Sequence, residues 1–140
     1  SSLARYLLIL VSILQLNILF HNNIDKTIFF FITGRKKELI IKGGENISPR
    51  EIDDTLYKHN AVLEACTFGI EDDNYGEEIS ACVYLKDDLV ANEEELLDLC
   101  KADLGEYKTP RQIIFVDKPL PKGPSGKIQR LKIASQYSSA

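Results

Sequence analysis

The sequence predicts an α+β domain, a small, mainly antiparallel sheet with helices packed on it, preceded by an apolar N-terminal segment. Two observations carry this. β-Branched and aromatic runs alternate with capped helical stretches in the order strand, strand, helix, strand, strand, helix, strand. Two neighbouring strand runs, Val62 to Ile70 and Ile79 to Leu85, are separated only by the polar Glu71-Asp72-Asp73-Asn74-Tyr75-Gly76, the arrangement of an antiparallel hairpin. At 140 residues the chain has the length of one domain with an ordinary core.

Tyr6 to Phe20 is almost wholly apolar, broken by Ser12, Gln15 and Asn17, and falls short of the roughly 20 residues that span a bilayer. Arg5 precedes the run, but no small-x-small cleavage pattern follows before His21. Three readings stay open for residues 1–31: a signal or membrane anchor with contact through residues 6–20, a docked helix, or non-native sequence. Thr27 to Ile32 is rich in β-branched and aromatic residues and reads as a strand, and Leu39 to Lys42 as a second. Ser48, Pro49 and Glu51 then predict a capping box, with Ser48 as N-cap and Pro49 at the first helical position. The helix runs to about Lys58 and buries Ile52 and Leu56, one turn apart.

Asn92 caps the next helix, with Glu95 three residues on and Glu93 and Glu94 beside the positive end of the helix dipole. That acidic triplet reads as helix chemistry rather than as a metal site. Leu96, Leu97, Cys100 and Leu104 form its buried stripe, and Gly105 terminates it. Ile113 to Val116 is the last strand. Pro119, Pro121, Gly123, Pro124 and Gly126 then hold the chain open until Ile128, and a short helix closes it from about Arg130.

The formal charge of −4 argues against a general nucleic-acid binder, because duplex binding is dominated by phosphate neutralisation. Small anions need only a local positive field. Cys66, Cys82 and Cys100 lack CxxC spacing or a companion histidine cluster, so they read as buried thiols in a reducing compartment, and no metal site is expected. His21 and His59 offer no catalytic pattern. With no methionine anywhere, the chain reads as a fragment, a processed chain or a curtailed gene model.

Two stretches carry chemistry. Pro124-Ser125-Gly126-Lys127-Ile128-Gln129-Arg130 places a compact charge on a Gly/Pro/Ser loop, suited to an anion, although Ile128 after the lysine rules out a Walker loop. Taken alone, Lys127 reads as one of a solvated basic run with Lys118, Lys122, Arg130 and Lys132. The second stretch runs from Thr33 through Gly34-Arg35-Lys36-Lys37-Glu38 and Lys42-Gly43-Gly44-Glu45-Asn46 to Ile52. A hairpin entering a capped helix accounts for Ser48, Pro49, Glu51 and Ile52, but not for Arg35 or the double glycine.

Together the two blocks resemble the C-terminal domain of the acyl-adenylate-forming enzymes, in particular the acyl-CoA synthetases. Asp73 to Glu78 and Tyr107-Lys108-Thr109-Pro110 fit the same family in order. The resemblance divides the chain into residues 1–31, without family likeness, and 32–140, a C-terminal lid domain of AMP-binding enzymes. It implies that Lys127 is the catalytic lysine of acyl-adenylate formation and that Arg35 contacts the nucleotide. It implies further that Lys37 is the hinge, that Gly43 and Gly44 border the CoA pantetheine in thioester formation, and that Lys108 and Arg111 contact CoA phosphates.

ATP with Mg would be bound mainly by the family's N-terminal adenylation domain, which this chain lacks and which is its implied partner. CoA is the implied co-substrate and a carboxylic acid the substrate, of a class the sequence does not specify. The chain alone is therefore expected to be an inactive part of an ATP-dependent acid–CoA ligase. The alternative is a standalone, non-catalytic interaction module derived from such a ligase, associated with membranes through its apolar segment. A cytoplasmic or peroxisomal location is expected, without a Ser-Lys-Leu address at Ser138-Ser139-Ala140.

Overall fold

Two long runs with apolar residues at every other position need two covered faces, and the fold is organised around that requirement. A computed structural model of the chain describes residues 2–20 and 38–138. The chain divides into two units, Ser1–Lys36 and Lys37–Ala140. In the first, Ser2–Phe20 forms a helix, α1, whose Leu7, Leu10 and Leu14 are exposed. Among the described residues no helix is long and apolar enough to cross a membrane. The strand expected over Thr27 to Ile32 lies outside the described residues.

The second unit begins with a short hairpin, β1 (Ile40–Lys42) and β2 (Glu45–Ile47), followed by α2 (Pro49–Leu56). Next come β3 (Val62–Asp72), β4 (Gly76–Leu85), α3 (Glu93–Leu104), β5 (Gln112–Val116) and α4 (Arg130–Ser138). The sheet runs β2-β1-β4-β3, with β5 also on β4. β3 and β4 pair antiparallel as expected, from Val62 opposite Leu85 to Asp72 opposite Gly76. β1 meets β4 at Lys42 opposite Gly76, while β5 runs parallel to β4 from Ser80 to Tyr84, so both use one edge of the central strand.

Strand alternation sends Ala65, Ile79, Ala81, Val83 and Ile113 to one face, beneath Ile52 and Leu56 of α2 and Leu96 and Cys100 of α3. Burying Ile52 or Leu56 fully is worth about 1.5–3 kcal/mol each. Cys66, Phe68, Cys82 and Ile114 point the other way, beneath Ile133 and Tyr137 of α4. Phe68 and Tyr137 stack with ring centroids 5.7 Å apart.

The Asn92 cap forms as predicted, its side chain accepting from the Glu95 amide at 2.8 Å, and Gly105 ends α3 at φ 87°. The capping box at Ser48 does not form. Ser48 is extended, with no side-chain bond to the helix, and Pro49 occupies the first turn. The Glu51 carboxylate is held by Lys108, whose Nζ donates to Oε1 at 3.3 Å and to Oε2 at 3.2 Å. A charged partner outcompetes the backbone amide for that carboxylate.

Candidate functional site: two loops of the C-terminal unit

The Lys127 loop is a small hairpin rather than an open tether. Lys122 bridges Ile128, the Gly123 amide donates to the Lys127 carbonyl at 2.9 Å, and the Gln129 amide donates to the Pro121 carbonyl at 2.8 Å. Its tip is closed by the Gly126 amide on the Gly123 carbonyl at 2.9 Å, with Pro124 at the second turn position, where its fixed φ suits the turn. Gly126 has φ +82°, and a Cβ there would meet open space, so glycine is required by torsion and not by crowding.

The Lys127 side chain is exposed and makes no hydrogen bond or ion pair among the described residues. Its basic neighbours are differently employed. Lys122 pairs with Glu64 at 2.6 Å and Arg130 is drawn inward, so the solvated basic run suggested by composition is broken into separate environments.

Arg130 opens α4 with its side chain only 15% exposed. Its Nη1 donates to Asp53 Oδ2 and to the Thr67 carbonyl, each at 2.8 Å, and its Nε donates to Glu38 Oε2 at 3.2 Å. Asp53 Oδ1 in turn accepts from the Thr67 amide at 2.6 Å. Burial raises the Asp53 carboxyl above its ordinary range, against the lowering effect of the Arg130 charge. Sequence reading placed Arg130 in the basic tail. The missed signal is helical: Arg130, Ile133, Ala134 and Tyr137 share one stripe, and all but Arg130 are apolar or aromatic core residues.

The double glycine sits at the two-residue turn of the β1–β2 hairpin, with φ +56° at Gly43 and +80° at Gly44. Positive φ at both central positions is the requirement of a type I′ turn, so the hairpin does account for the pair of glycines, contrary to the sequence reading. Gly43 has a second constraint. Its amide donates to the Tyr75 carbonyl at 2.8 Å, and a Cβ would collide with the Tyr107 hydroxyl, whereas a Cβ at Gly44 meets nothing.

Beneath this turn Lys42 is buried at 5% exposure because strand alternation turns it inward with Ile40. It pairs with Glu78 at 3.0 Å and lies 4.5 Å from the ring centre of Tyr107 and 5.2 Å from that of Tyr75. Tyr75 and Tyr107 meet edge to face at 6.2 Å. Neither tyrosine, nor Lys42, was singled out from sequence.

Lys108 and Arg111, expected at CoA phosphates, are ion-paired in this structure, Lys108 with Glu51 at 3.2 Å and Arg111 with Asp72 at 3.1 Å. Asp72 sits at the β3–β4 turn that carries Tyr75, which places Arg111 near the Gly43 turn, while Lys108 is held against Glu51 of α2. Arg35 and Lys37 lie outside the described residues. Among the described residues no group of three His, Cys, Asp or Glu side chains could hold a metal.

The glycine turn and the Lys127 loop are anchored at different levels of the sheet. Lys42 is opposite Gly76, and Arg130 grips Thr67, which is opposite Ala81. Five steps of about 3.3 Å separate Gly76 from Ala81 along β4.

Residues 51–127, more than half of the chain, match the family model of the AMP-binding enzyme C-terminal domain. A sulfoacetate–CoA ligase of Cupriavidus necator is 51% identical over 105 residues, covering 75% of this chain and 20% of that protein. A mitochondrial medium-chain acyl-CoA ligase of Rattus norvegicus is 45% identical over 114 residues, 81% of this chain and 18% of that protein. Among solved structures, a fatty acyl CoA synthetase of Mycobacterium tuberculosis superposes with a TM-score of 0.69 at 34% identity, over 76% of this chain and 21% of that one. The chain thus spans about a fifth of the length of the relatives it matches. With the glycine turn, the Lys127 hairpin and the sheet between them all in place, the chain belongs to the AMP-binding enzyme C-terminal domain family.

Proposed function

We propose that this domain serves an ATP-dependent acid–CoA ligase, presenting Lys127 for acyl-adenylate formation and the Gly43–Gly44 edge for thioester formation with CoA. The observation that carries the reading is the state of Lys127: an exposed lysine without a partner among the described residues, on a braced hairpin, at a sheet level different from the glycine turn. A free charge on a fixed support suits a group that engages a ligand outside its own domain.

In the first half-reaction the carboxylate oxygen attacks the α-phosphorus of ATP and the bond to pyrophosphate breaks. Negative charge gathers on the phosphoryl oxygens, and the Lys127 ammonium offsets it. Magnesium bound with ATP supplies phosphate neutralisation. In the second, the CoA sulfur attacks the acyl carbon, AMP leaves and the thiol proton passes to solvent. Glycine at Gly44, with open space around it, lets a narrow thiol-bearing chain pass close to the backbone. Arg35 is the residue of this reading that faces the nucleotide, and rotation about Lys37 exchanges the two presentations. Lys108 and Arg111 would release their carboxylates to meet CoA phosphates.

The ATP site and the acid pocket belong to an N-terminal adenylation domain. The standalone interaction module is not favoured, since the matched relatives named above are ligases and a synthetase. The test is ATP–pyrophosphate exchange by an N-terminal adenylation domain from a ligase relative, with and without this chain. Stimulation by the chain supports the reading, and its absence at saturating chain contradicts it.

A further inference from the structure

Buried charge is costly, and two carboxylates on one guanidinium leave a surplus negative charge, so the group formed by Arg130, Asp53 and Glu38 needs a reason beyond stability. Docking of α4 does not supply that reason. Ile133, Ala134 and Tyr137 already seat the helix on Phe68 and Cys82, and Phe68 stacks on Tyr137. Apolar side chains in place of all three charged residues would pack there with less desolvation.

What an apolar side chain could not do is fix direction. The guanidinium donates along separate axes, to Glu38 ahead of β1, to Asp53 on α2 and to the Thr67 carbonyl on β3, with Cys66 Sγ at 3.6 Å from Nη1. Asp53 is itself fixed by the Thr67 amide. A planar fork held on several sides sets the position and rotation of the first residue of α4. Between Arg130 and Lys127 lie only Gln129, bonded to the Pro121 carbonyl, and Ile128, bridged to Lys122. The hairpin therefore has little freedom to move relative to the guanidinium.

We infer that Arg130 is a positioning residue for Lys127: its buried fork onto Asp53, Glu38 and Thr67 aims the Lys127 hairpin, while the apolar stripe of α4 holds the helix in place. The inference rests on the catalytic reading of Lys127 given above. A placement error on the order of 1 Å can cost about 10²-fold in rate at a charge-stabilising contact, so the effect on adenylation is separate from any loss of stability.

The test replaces Arg130 in the complete chain by methionine, which keeps the packing volume, and by lysine, which keeps the charge without the fork. Three readouts are taken: thermal unfolding of the chain, backbone 15N relaxation at Gly126 and Lys127, and the two half-reactions with the chain joined to the N-terminal adenylation domain of a ligase relative. For Arg130→Met, which leaves Asp53 and Glu38 without their cation, the expectation is a lowered unfolding midpoint in a chain that still folds, and increased motion at Gly126 and Lys127. Adenylation should fall by about 10-fold to 10²-fold in kcat with KM for ATP unchanged, and thioester formation from supplied acyl-adenylate should be retained. Arg130→Lys should rescue the rate only in part.

Unchanged relaxation and adenylation in folded Arg130→Met overturn the inference, as does equal loss of both half-reactions. Should Arg130→Met fail to fold, Glu38→Gln removes one anchor alone, and a rigid loop with full adenylation in that variant overturns it equally. Lys127→Ala, run alongside, separates the two levels. If it leaves adenylation intact, the catalytic reading itself fails; if it lowers adenylation while Arg130→Met leaves it unchanged, only the positioning role fails.

Discussion

Lys42 and Tyr107 clasp each other across the sheet edge: the Lys42 Nζ donates to the Tyr107 carbonyl at 2.9 Å and the Tyr107 hydroxyl donates to the Lys42 carbonyl at 2.6 Å. One side chain from each residue satisfies the other's backbone, directly under the Gly43–Gly44 turn. This ties the loop before β5 to the β1–β2 hairpin, 65 residues apart in sequence.

The clasp makes the two glycines unequal. Gly43→Ala faces both a left-handed torsion and a collision with the Tyr107 hydroxyl, while Gly44→Ala faces the torsion alone. Gly44→Ala is expected to cost about 1–2 kcal/mol. Gly43→Ala is expected to cost more, and Tyr107→Phe about 1 kcal/mol, partly relieving Gly43→Ala when combined with it. Urea unfolding of Gly44→Ala, and of the parent, Gly43→Ala, Tyr107→Phe and their combination as a double-mutant cycle, checks this.

Asp72 fixes the turn that carries Tyr75. Its Oδ2 accepts from the Tyr75 amide at 2.9 Å and from the Asn74 amide at 3.0 Å, and Arg111 pairs with Oδ1. The Tyr75 amide, first, and then the Asn74 amide and Arg111 hold the carboxyl below its ordinary 3.8. A depressed acid stabilises the fold above its unfolded value and loses that contribution as pH falls through the folded value. The stability difference between the parent chain and Asp72→Asn should thus be full near neutrality and shrink below about pH 3.8, as followed by thermal melts across that range.

The three described cysteines are free and buried. Burial pushes the Cys66 thiol up to about 12 and that of Cys100 to about 11, and raises Cys82 as well. Thiolate is the reactive form, so a thiol reagent at neutral pH should leave all three unmodified in the folded chain and label them after unfolding, as counted by mass spectrometry. Rapid labelling of Cys66 in the folded state would contradict its placement.

β1, β3 to β5 and α2 to α4 were legible because their signals are local: alternation in Val62 to Leu85, the Asn92 cap and the stripe of α3, whereas no strand was read at Glu45–Ile47. The Ser48 box failed because Glu51 has a non-local partner, Lys108, which no window around the helix reveals. The site was legible only in part. Lys127, Gly43 and Gly44 stood out through residue type and family likeness, but what supports them is tertiary. Arg130 on Asp53 joins residues 77 apart, and Lys42 under Tyr75 and Tyr107 places a charged residue where alternation alone predicts an apolar one. The Gly43–Gly44 pair, by contrast, is a short-range signal of a two-residue hairpin turn with positive φ at both positions.

The role of Lys127 is tested most directly by Lys127→Ala in the complete chain joined to the N-terminal adenylation domain of a ligase relative, with the two half-reactions measured separately. The account predicts that pyrophosphate exchange falls by about 10²-fold to 10³-fold while thioester formation from supplied acyl-adenylate continues at the parent rate. Equal loss of both half-reactions, or exchange at the parent rate, would contradict it.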